Sequence, residues 1–156
     1  MASFGYTDMH ITPATRADIP VLTRLLNELF TQEEEFSPDP VLQTRGLEMI
    51  LAQPQQGILL VAREEGMPIG MLSLLYTVSP ALGARVALLE DFVVTKAARG
   101  QGVGSALLAS AIGHARAAGC QRITLLTDGD NQGAQALYAR HGFRASDMLP
   151  MRLGIC

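Results

Sequence analysis

Three glycines at alternate positions, Gly100, Gly102 and Gly104, stand directly before a segment with the apolar spacing of a helix. Because glycine has no Cβ, a ligand can lie directly against the backbone of such a loop. The first N–H groups of a helix have no partner within the helix, and they carry partial positive charge. A glycine-rich loop that leads into a helix therefore predicts a site for a phosphate group.

Three interpretations of this glycine pattern compete. A dinucleotide-binding loop has the spacing G-x-G-x-x-G early in a strand–helix–strand series, whereas here Ser105 takes the place of the third glycine and three strands come first. A nucleotide-triphosphate loop requires a lysine after its last glycine, and Gly104 is not followed by one. The third interpretation is a turn that serves packing alone. Three closely spaced glycines directly after Arg99 favour a ligand-binding loop over such a turn.

Apolar spacing and turn residues predict the elements that must position this loop. The predicted strands are 9–12, 58–63, 68–78, 85–95, 122–127, 143–145 and 148–154. The predicted helices are 41–52, 103–118, 134–141 and a first helix that begins at 19, after a capping box at Thr15 and Asp18, and ends between 30 and 34. Strands between 58 and 95 should be antiparallel, and the helix after the glycines should cross over to a parallel strand. These elements predict a mixed sheet in one α/β domain over residues 1–156.

Composition and charge exclude several classes of protein. A chain of 156 residues with 48% hydrophobic residues predicts one globular domain, and no apolar run is long enough to span a membrane. A formal net charge of −3 argues against a nucleic-acid partner. The two cysteines and three histidines lack the spacing of metal ligands. Because the first ten residues lack a basic, apolar leader, we expect a cytoplasmic protein.

Two separate segments resemble one known family. The run R-G-Q-G-V-G at 99–104 resembles the Q/R-x-x-G-x-G/A signature of the GNAT superfamily of N-acetyltransferases, and the run N-Q-G-A-Q-A-L-Y-A-R-H-G-F at 131–143 is similar to its N-x-x-A-x-x-L-Y-x-x-x-G-F segment. The order of predicted elements, β-α-α-β-β-β-α-β-α-β-β, is also the order of that family. The resemblance implies a GNAT-type α/β fold with a mixed, mostly antiparallel sheet. It implies an acyltransferase that uses acetyl-CoA as cosubstrate.

The same resemblance assigns residues to the binding of acetyl-CoA. The backbone N–H groups from Gly100 to Ser105 would hold the pyrophosphate, and the preceding strand would pair through its backbone with the amide groups of pantetheine. Asn131 would cap the last helix and bond the cofactor. The implied cofactor-binding residues are Phe92, Val93, Val94, Arg99, Gly100, Gln101, Gly102, Val103, Gly104, Ser105 and Asn131.

For catalysis, the resemblance implies direct transfer of the acetyl group to an amine, without a covalent intermediate. It gives Tyr138 the role of general acid to the departing thiolate, where the alternative is an aromatic side chain packed in the core. Glu90 and Asp91 are the candidate bases, and on a regular strand they point to opposite faces unless a bulge intervenes. Glu90 acting through water is the preferred base. Simple pairing of both carboxylates at a sheet edge is nearly as good an interpretation.

The acceptor substrate is the least defined part of the prediction. The run L-E-D-F at 89–92 is similar to diamine and polyamine acetyltransferases, which favours a primary amine on a small molecule of di/polyamine or amino-acid type. The alternatives are an amino group of a protein or peptide, a non-catalytic module that binds acyl-CoA, and a dinucleotide-binding protein. The acidic run 33–35 would attract a cationic amine, although a solvated helix end explains it more simply. The resemblance also makes a homodimer one expected form.

Overall fold

The computed structural model of the protein describes residues 9–33 and 37–156. The chain forms two compact units, residues 1–126 and 127–156. The first unit contains β1 (Met9–Pro13), α1 (Ile19–Gln32), α2 (Pro40–Leu51), β2 (Gly57–Glu64), β3 (Met67–Ser79), β4 (Ala84–Val94), α3 (Val103–Ala117) and β5 (Cys120–Leu125). The second contains α4 (Gln132–Arg140). The acidic residues Glu34 and Glu35 lie outside the described residues, and the single domain over 1–156 stays a prediction.

The five strands form one sheet in the order β1-β2-β3-β4-β5. Each pair from β1 to β4 is antiparallel, and β4 pairs with β5 in parallel. This arrangement confirms the predicted mixed, mostly antiparallel α/β fold. The predicted turn between β2 and β3 is also present, since Glu65 and Gly66 have φ angles of +50° and +78°. Two consecutive left-handed residues match the right-handed twist of the flanking strands.

Helix α1 packs its apolar side on one part of the sheet. Leu22, Leu25 and Leu26 are almost fully buried, and they belong to one cluster with Val61 on β2 and Val93 on β4. Burial of each such side chain contributes about 1.5–3 kcal/mol. The helix is thereby fixed against the strand that leads to the glycine loop.

An ion pair ties the start of α1 to β2. Arg63 donates to both carboxylate oxygens of Asp18 at 2.7 and 2.6 Å, and the Thr15 N–H donates to the same carboxylate at 2.8 Å. Both side chains of the pair are less than one-fifth exposed. The Arg63 guanidinium holds the pKa of Asp18 below its ordinary value, because the bidentate bonds favour the charged carboxylate. The predicted capping residues therefore also anchor the helix to the sheet.

Helix α3 packs on the sheet through Val103, Leu107 and Leu108, which are at most 1% exposed. Gly70 on β3 lies beneath this helix: a Cβ at Gly70 would come within 3.0 Å of the Leu107 side chain. The helix therefore approaches the sheet closely at its first turns, which fixes the position of the loop before it. Gly119, with φ of +83°, ends the helix region as predicted.

The two strands predicted at 143–145 and 148–154 are wrong, because no strand of the described residues follows Leu125. The ring of Phe143 instead packs against Tyr138, with ring centroids 5.9 Å apart. Leu149, Met151, Leu153 and Ile155 do alternate along the segment, yet each is at least 86% exposed. Alternation predicts which side chains share a face of a strand, but a strand also needs a neighbour to bond with its backbone.

Candidate active site

The glycine loop lies open between β4 and α3. Gly100 and Gly102 have φ angles of +74° and +86°, and a Cβ added at either would meet no atom within 4 Å. Both are exposed, and Gly102, the residue that caps α3, has no side chain that could cover the start of the helix. A left-handed backbone, open space and a glycine at the helix cap let an anion approach the backbone closely. The geometry fits the phosphate site predicted from the sequence.

The residues around these glycines divide into backbone and side-chain roles. Val103 is 1% exposed, so its side chain belongs to the core and only its N–H can serve a ligand. Arg99 donates from Nε to the Val94 carbonyl at 3.0 Å, and Gln101 donates from its amide to the Ala97 carbonyl at 3.3 Å. Both side chains therefore brace the loop. Direct contact of Arg99 or Gln101 with a phosphate stays a prediction.

Strand β4 continues past its parallel neighbour. The pairing between β4 and β5 ends at Leu89 with Leu125, whereas β4 itself extends to Val94. Where a strand extends beyond the end of its neighbour, an extended ligand can pair with its backbone as a further strand. This is the segment that includes Phe92, Val93 and Val94, which the family resemblance assigns to the amide groups of pantetheine; that contact stays a prediction.

A β-bulge in β4 includes the candidate base Asp91 and lies between Glu90 and the glycine loop. Met71 pairs with Val93 and Ser73 pairs with Glu90, so β4 carries one more residue than β3 between these pairs. Asp91, in the bulge, has a left-handed backbone with φ of +54°. The structure therefore contains the irregularity that the sequence left open as an alternative to a regular strand.

The bulge brings Asp91 to the Ser73 side of the sheet. The Ser73 hydroxyl lies 3.1 Å from the Glu90 carbonyl oxygen and 3.2 Å from the Asp91 carboxylate, while the Glu90 side chain is exposed. Burial raises the pKa of Asp91, the Glu90 charge raises it further, and the Ser73 bond lowers it. Ser73 has one proton for two acceptors, so a protonated Asp91 can donate to the Ser73 oxygen while Ser73 donates to the Glu90 carbonyl.

In the second unit, Asn131 and Tyr138 lie at the two ends of α4. Asn131 is the cap of the helix, as predicted, and its side-chain oxygen accepts the Ala134 N–H at 3.2 Å. Burial raises the pKa of the Tyr138 hydroxyl above its ordinary value, so this group keeps its proton at neutral pH. A protonated phenol is a donor to a departing thiolate. Contact of either residue with a cofactor stays a prediction.

Two polar residues of the first unit were missed in the sequence. Ser73 is fully buried and lies within an apolar run of β3, which was a signal that its hydroxyl has a specific partner. Glu28 on α1 accepts hydrogen bonds from Thr95 and Lys96, at the start of the glycine loop. Its position on a polar helix side gave no signal, because any solvated glutamate has the same pattern.

Among residues 9–33 and 37–156, no set of three or more His, Cys, Asp or Glu side chains is grouped so that it could hold a metal ion. Across those same residues, none of the helices has the length and hydropathy needed to cross a bilayer. The cytoplasmic location stays a prediction.

Comparison with known proteins agrees with this geometry. The sequence profile of the acetyltransferase (GNAT) family matches residues 19–143. The uncharacterized N-acetyltransferase YhfO of Bacillus subtilis (strain 168) is 30% identical over 138 residues, which are 86% of this chain and 89% of that protein. The solved structure of a transcriptional regulator from Bacillus halodurans C-125 has 30% identity and a TM-score of 0.81, over 93% of this chain and 99% of that chain.

A predicted acetyltransferase from Clostridium acetobutylicum, solved with acetyl-CoA, shares the fold with a TM-score of 0.77 and 19% identity, over 94% of this chain and 96% of that chain. The fold is that of an α/β protein whose glycine loop leads into the start of a helix. The chain belongs to the acetyltransferase (GNAT) family and is an acyltransferase enzyme.

Proposed function

We propose that the protein is an acetyl-CoA-dependent N-acetyltransferase that acts on a primary amine of a small molecule, of di/polyamine or amino-acid type. The observation that carries the proposal is the glycine loop, where two left-handed glycines with open space beside them lead into the start of α3. The family match over residues 19–143 supports the same donor, and it runs through both compact units, which supports one catalytic domain.

Acetyl-CoA supplies the activated acetyl group and a thiolate that can leave. We assign its pyrophosphate to the N–H groups from Gly100 to Ser105, where each contact with the helix start contributes about 0.3–1 kcal/mol. The backbone of Phe92, Val93 and Val94 would bond the pantetheine arm, because β4 extends beyond its pairing with β5. Arg99 and Asn131 complete the proposed binding residues.

The acceptor amine must lose a proton before it attacks. A primary ammonium group has a pKa of about 10.4, so about one molecule in 2,500 is neutral at pH 7, and deprotonation costs about 4.6 kcal/mol. We propose Glu90 as the base, acting through water, since its exposed side chain is accessible to solvent. Asp91 is the second candidate, because its raised pKa brings it closer to the pH at which it must exchange a proton. Tyr138 is the proposed donor to the thiolate.

A second candidate function is an acyl-CoA-sensing module without turnover. This function is favoured by the Bacillus halodurans structure, which is described as a transcriptional regulator and is 30% identical to this chain, as YhfO is. Acetylation of a peptide amino group is the alternative within the catalytic class. All three share the donor site and differ in what happens to the acetyl group.

Release of free thiol from acetyl-CoA, measured across polyamines, amino acids and peptides, tests the proposed function. We expect turnover with at least one small amine, and a Tyr138→Phe variant should lower kcat while leaving the affinity for CoA unchanged. Stabilisation by CoA without turnover on any amine would favour the sensing module. Stabilisation by NAD but not by CoA would contradict the proposed donor.

We also propose a homodimer, supported by the exposed, alternating apolar side chains at the C-terminus. Leu149 and Met151 are 86% and 94% exposed, which is unusual for a regular apolar series in a monomer. A second copy of the chain would cover them. Light scattering after gel filtration should give twice the monomer mass, and Met151→Ser should shift the protein toward the monomer; a monomer at all concentrations would contradict the dimer.

A further inference from the structure

The last turns of α1 hold the chain where it enters the glycine loop. The Glu28 carboxylate accepts a hydrogen bond from the Thr95 hydroxyl at 3.0 Å and from the Lys96 N–H at 3.2 Å. One turn further along α1, Gln32 accepts from the Arg99 guanidinium at 2.9 and 3.2 Å in the amide orientation that satisfies both groups. Residues four apart lie on the same helix side. Thus α1 contacts both ends of the segment 95–99 that precedes the first glycine.

The Glu28 carboxylate caps the short helical turn that precedes the glycine loop. Lys96–Ala98 is a single 3₁₀ turn, and the Thr95 side chain before it makes no capping bond to that turn. The first N–H of such a turn has no partner within the turn. Glu28 accepts this N–H from a different helix, 68 positions earlier in the sequence. Segment 95–99 is therefore shaped by α1.

The glycines that follow lie in open space. A Cβ added at Gly100 or Gly102 would meet no atom within 4 Å, and neither residue has a side chain of its own to pack. Glycine also has wide conformational freedom. The segments that flank the loop therefore restrict the direction in which it presents its N–H groups. One flank is the buried start of α3 at Val103, and the other is the segment that Glu28 holds.

A carboxylate close to an anion-binding loop is unfavourable by charge alone, because it repels phosphate. We propose that Glu28 is a positioning residue for the cofactor: it fixes segment 95–99 so that the loop presents its N–H groups to the phosphates of CoA. The inference rests on the proposed function. If charge repulsion alone mattered, removal of the Glu28 carboxylate would strengthen the binding of CoA. The positioning role predicts the opposite, that its removal weakens the binding of CoA.

Calorimetric titration with CoA tests this role in Glu28→Gln and Glu28→Ala variants. We expect the Kd for CoA to rise about 10-fold in Glu28→Ala, the size of effect given by loss of hydrogen bonds to a charged acceptor, and less in Glu28→Gln. Glu48→Gln is the matched control, because Glu48 lies on α2 in a surface ion pair with Arg16 at 3.8 Å. Its Kd should equal that of the wild type.

S-acetylpantetheine, a donor without pyrophosphate, separates positioning from general damage. Glu28→Ala should lower kcat/KM with acetyl-CoA about 10-fold and leave kcat/KM with S-acetylpantetheine unchanged. If Glu28→Ala does not fold, Thr95→Val removes one bond of the contact and should raise the Kd for CoA by a smaller factor. Unchanged or tighter CoA binding in these variants would overturn the positioning role. Failure of the wild type to bind CoA would overturn the proposed function itself.

Discussion

A glycine at position 102 can serve the left-handed backbone or the space for a ligand, and replacement of Gly102 by alanine separates these two reasons. The backbone there has φ of +86°, so any L-residue adds about 1–2 kcal/mol of strain. The new Cβ would meet no protein atom within 4 Å, so no further cost arises inside the molecule. The methyl group would instead take up open space at the phosphate site that we propose at the start of α3. We expect stability to fall modestly and CoA binding to fall strongly.

The structure supplies a matched control in Gly66, at the turn between β2 and β3. It has φ of +78°, and a Cβ there also meets nothing within 4 Å. Gly66→Ala should therefore carry the same backbone strain, without any effect on a ligand. For a chain of this size, both variants should lower Tm by about 2–8 °C, at about 2–4 °C per kcal/mol.

Thermal melts and CoA titrations of the two variants give the result. Loss of two contacts at the helix start, at about 0.3–1 kcal/mol each, should raise the Kd for CoA about 3- to 30-fold in Gly102→Ala. Gly66→Ala should keep the wild-type Kd. Equal Tm losses with wild-type CoA affinity in both variants would refute the assignment of the loop to phosphate binding. A much larger Tm loss in Gly102→Ala alone would refute the open space described at this position.

Three further predictions concern stability. Arg63 holds the pKa of Asp18 low, so the ion pair stabilises the fold above about pH 4, and this contribution is lost as the pH falls through the folded-state pKa. Asp18→Asn should therefore lower the free energy of unfolding by about 3 kcal/mol at pH 7, measured by urea unfolding. The same variant should flatten the acid side of the curve of Tm against pH. Because burial raises the pKa of Asp91, the charge of this carboxylate destabilises the fold as the pH rises through that pKa. Asp91→Asn should therefore raise Tm at pH 7 and leave Tm unchanged near pH 3, and asparagine also tolerates the left-handed backbone at this position. A lower Tm at pH 7 would contradict this account. Gly57→Ala should lower the free energy of unfolding by about 1–3 kcal/mol, because its Cβ would lie 2.8 Å from a backbone oxygen of β3. Gly46→Ala, inside α2, has open space around its Cβ and should raise the free energy of unfolding by about 0.5–1 kcal/mol. Equal melting curves for the two variants would contradict the packing at β2.

Most of the fold was predictable because its signals are local. The capping residues before α1, the Glu65-Gly66 turn and the glycines after α3 and α4 each specify a backbone conformation with their own chemistry. The strands from β2 to β4 follow from apolar runs between such turns. The C-terminal strands failed for a different reason: the alternation of Leu149 and Met151 describes a face, and a sequence does not state whether a neighbouring strand exists.

The candidate site was predictable in part. The glycine loop and the Asn131 cap are contiguous in sequence, so their motifs identify them. The contact of Glu28 with Lys96 joins residues 68 positions apart, and the bond of Ser73 to Asp91 joins residues 18 apart. Such contacts depend on how α1 and β3 pack against β4. No spacing in the sequence encodes them.

The bulge at Asp91 makes β4 unusually intolerant of changes in chain length. Because side chains alternate along a strand, deletion of one residue at the bulge would restore regular pairing with β3 and shift the rest of β4 by about 3.3 Å. The glycine loop would then begin one residue too early, and Thr95 would no longer reach Glu28. A deletion in the turn at Ala81–Leu82, by contrast, would be absorbed at the exposed tip of the hairpin. Natural relatives of this chain should therefore vary in length at that tip while keeping a fixed number of residues between the bulge and the first glycine.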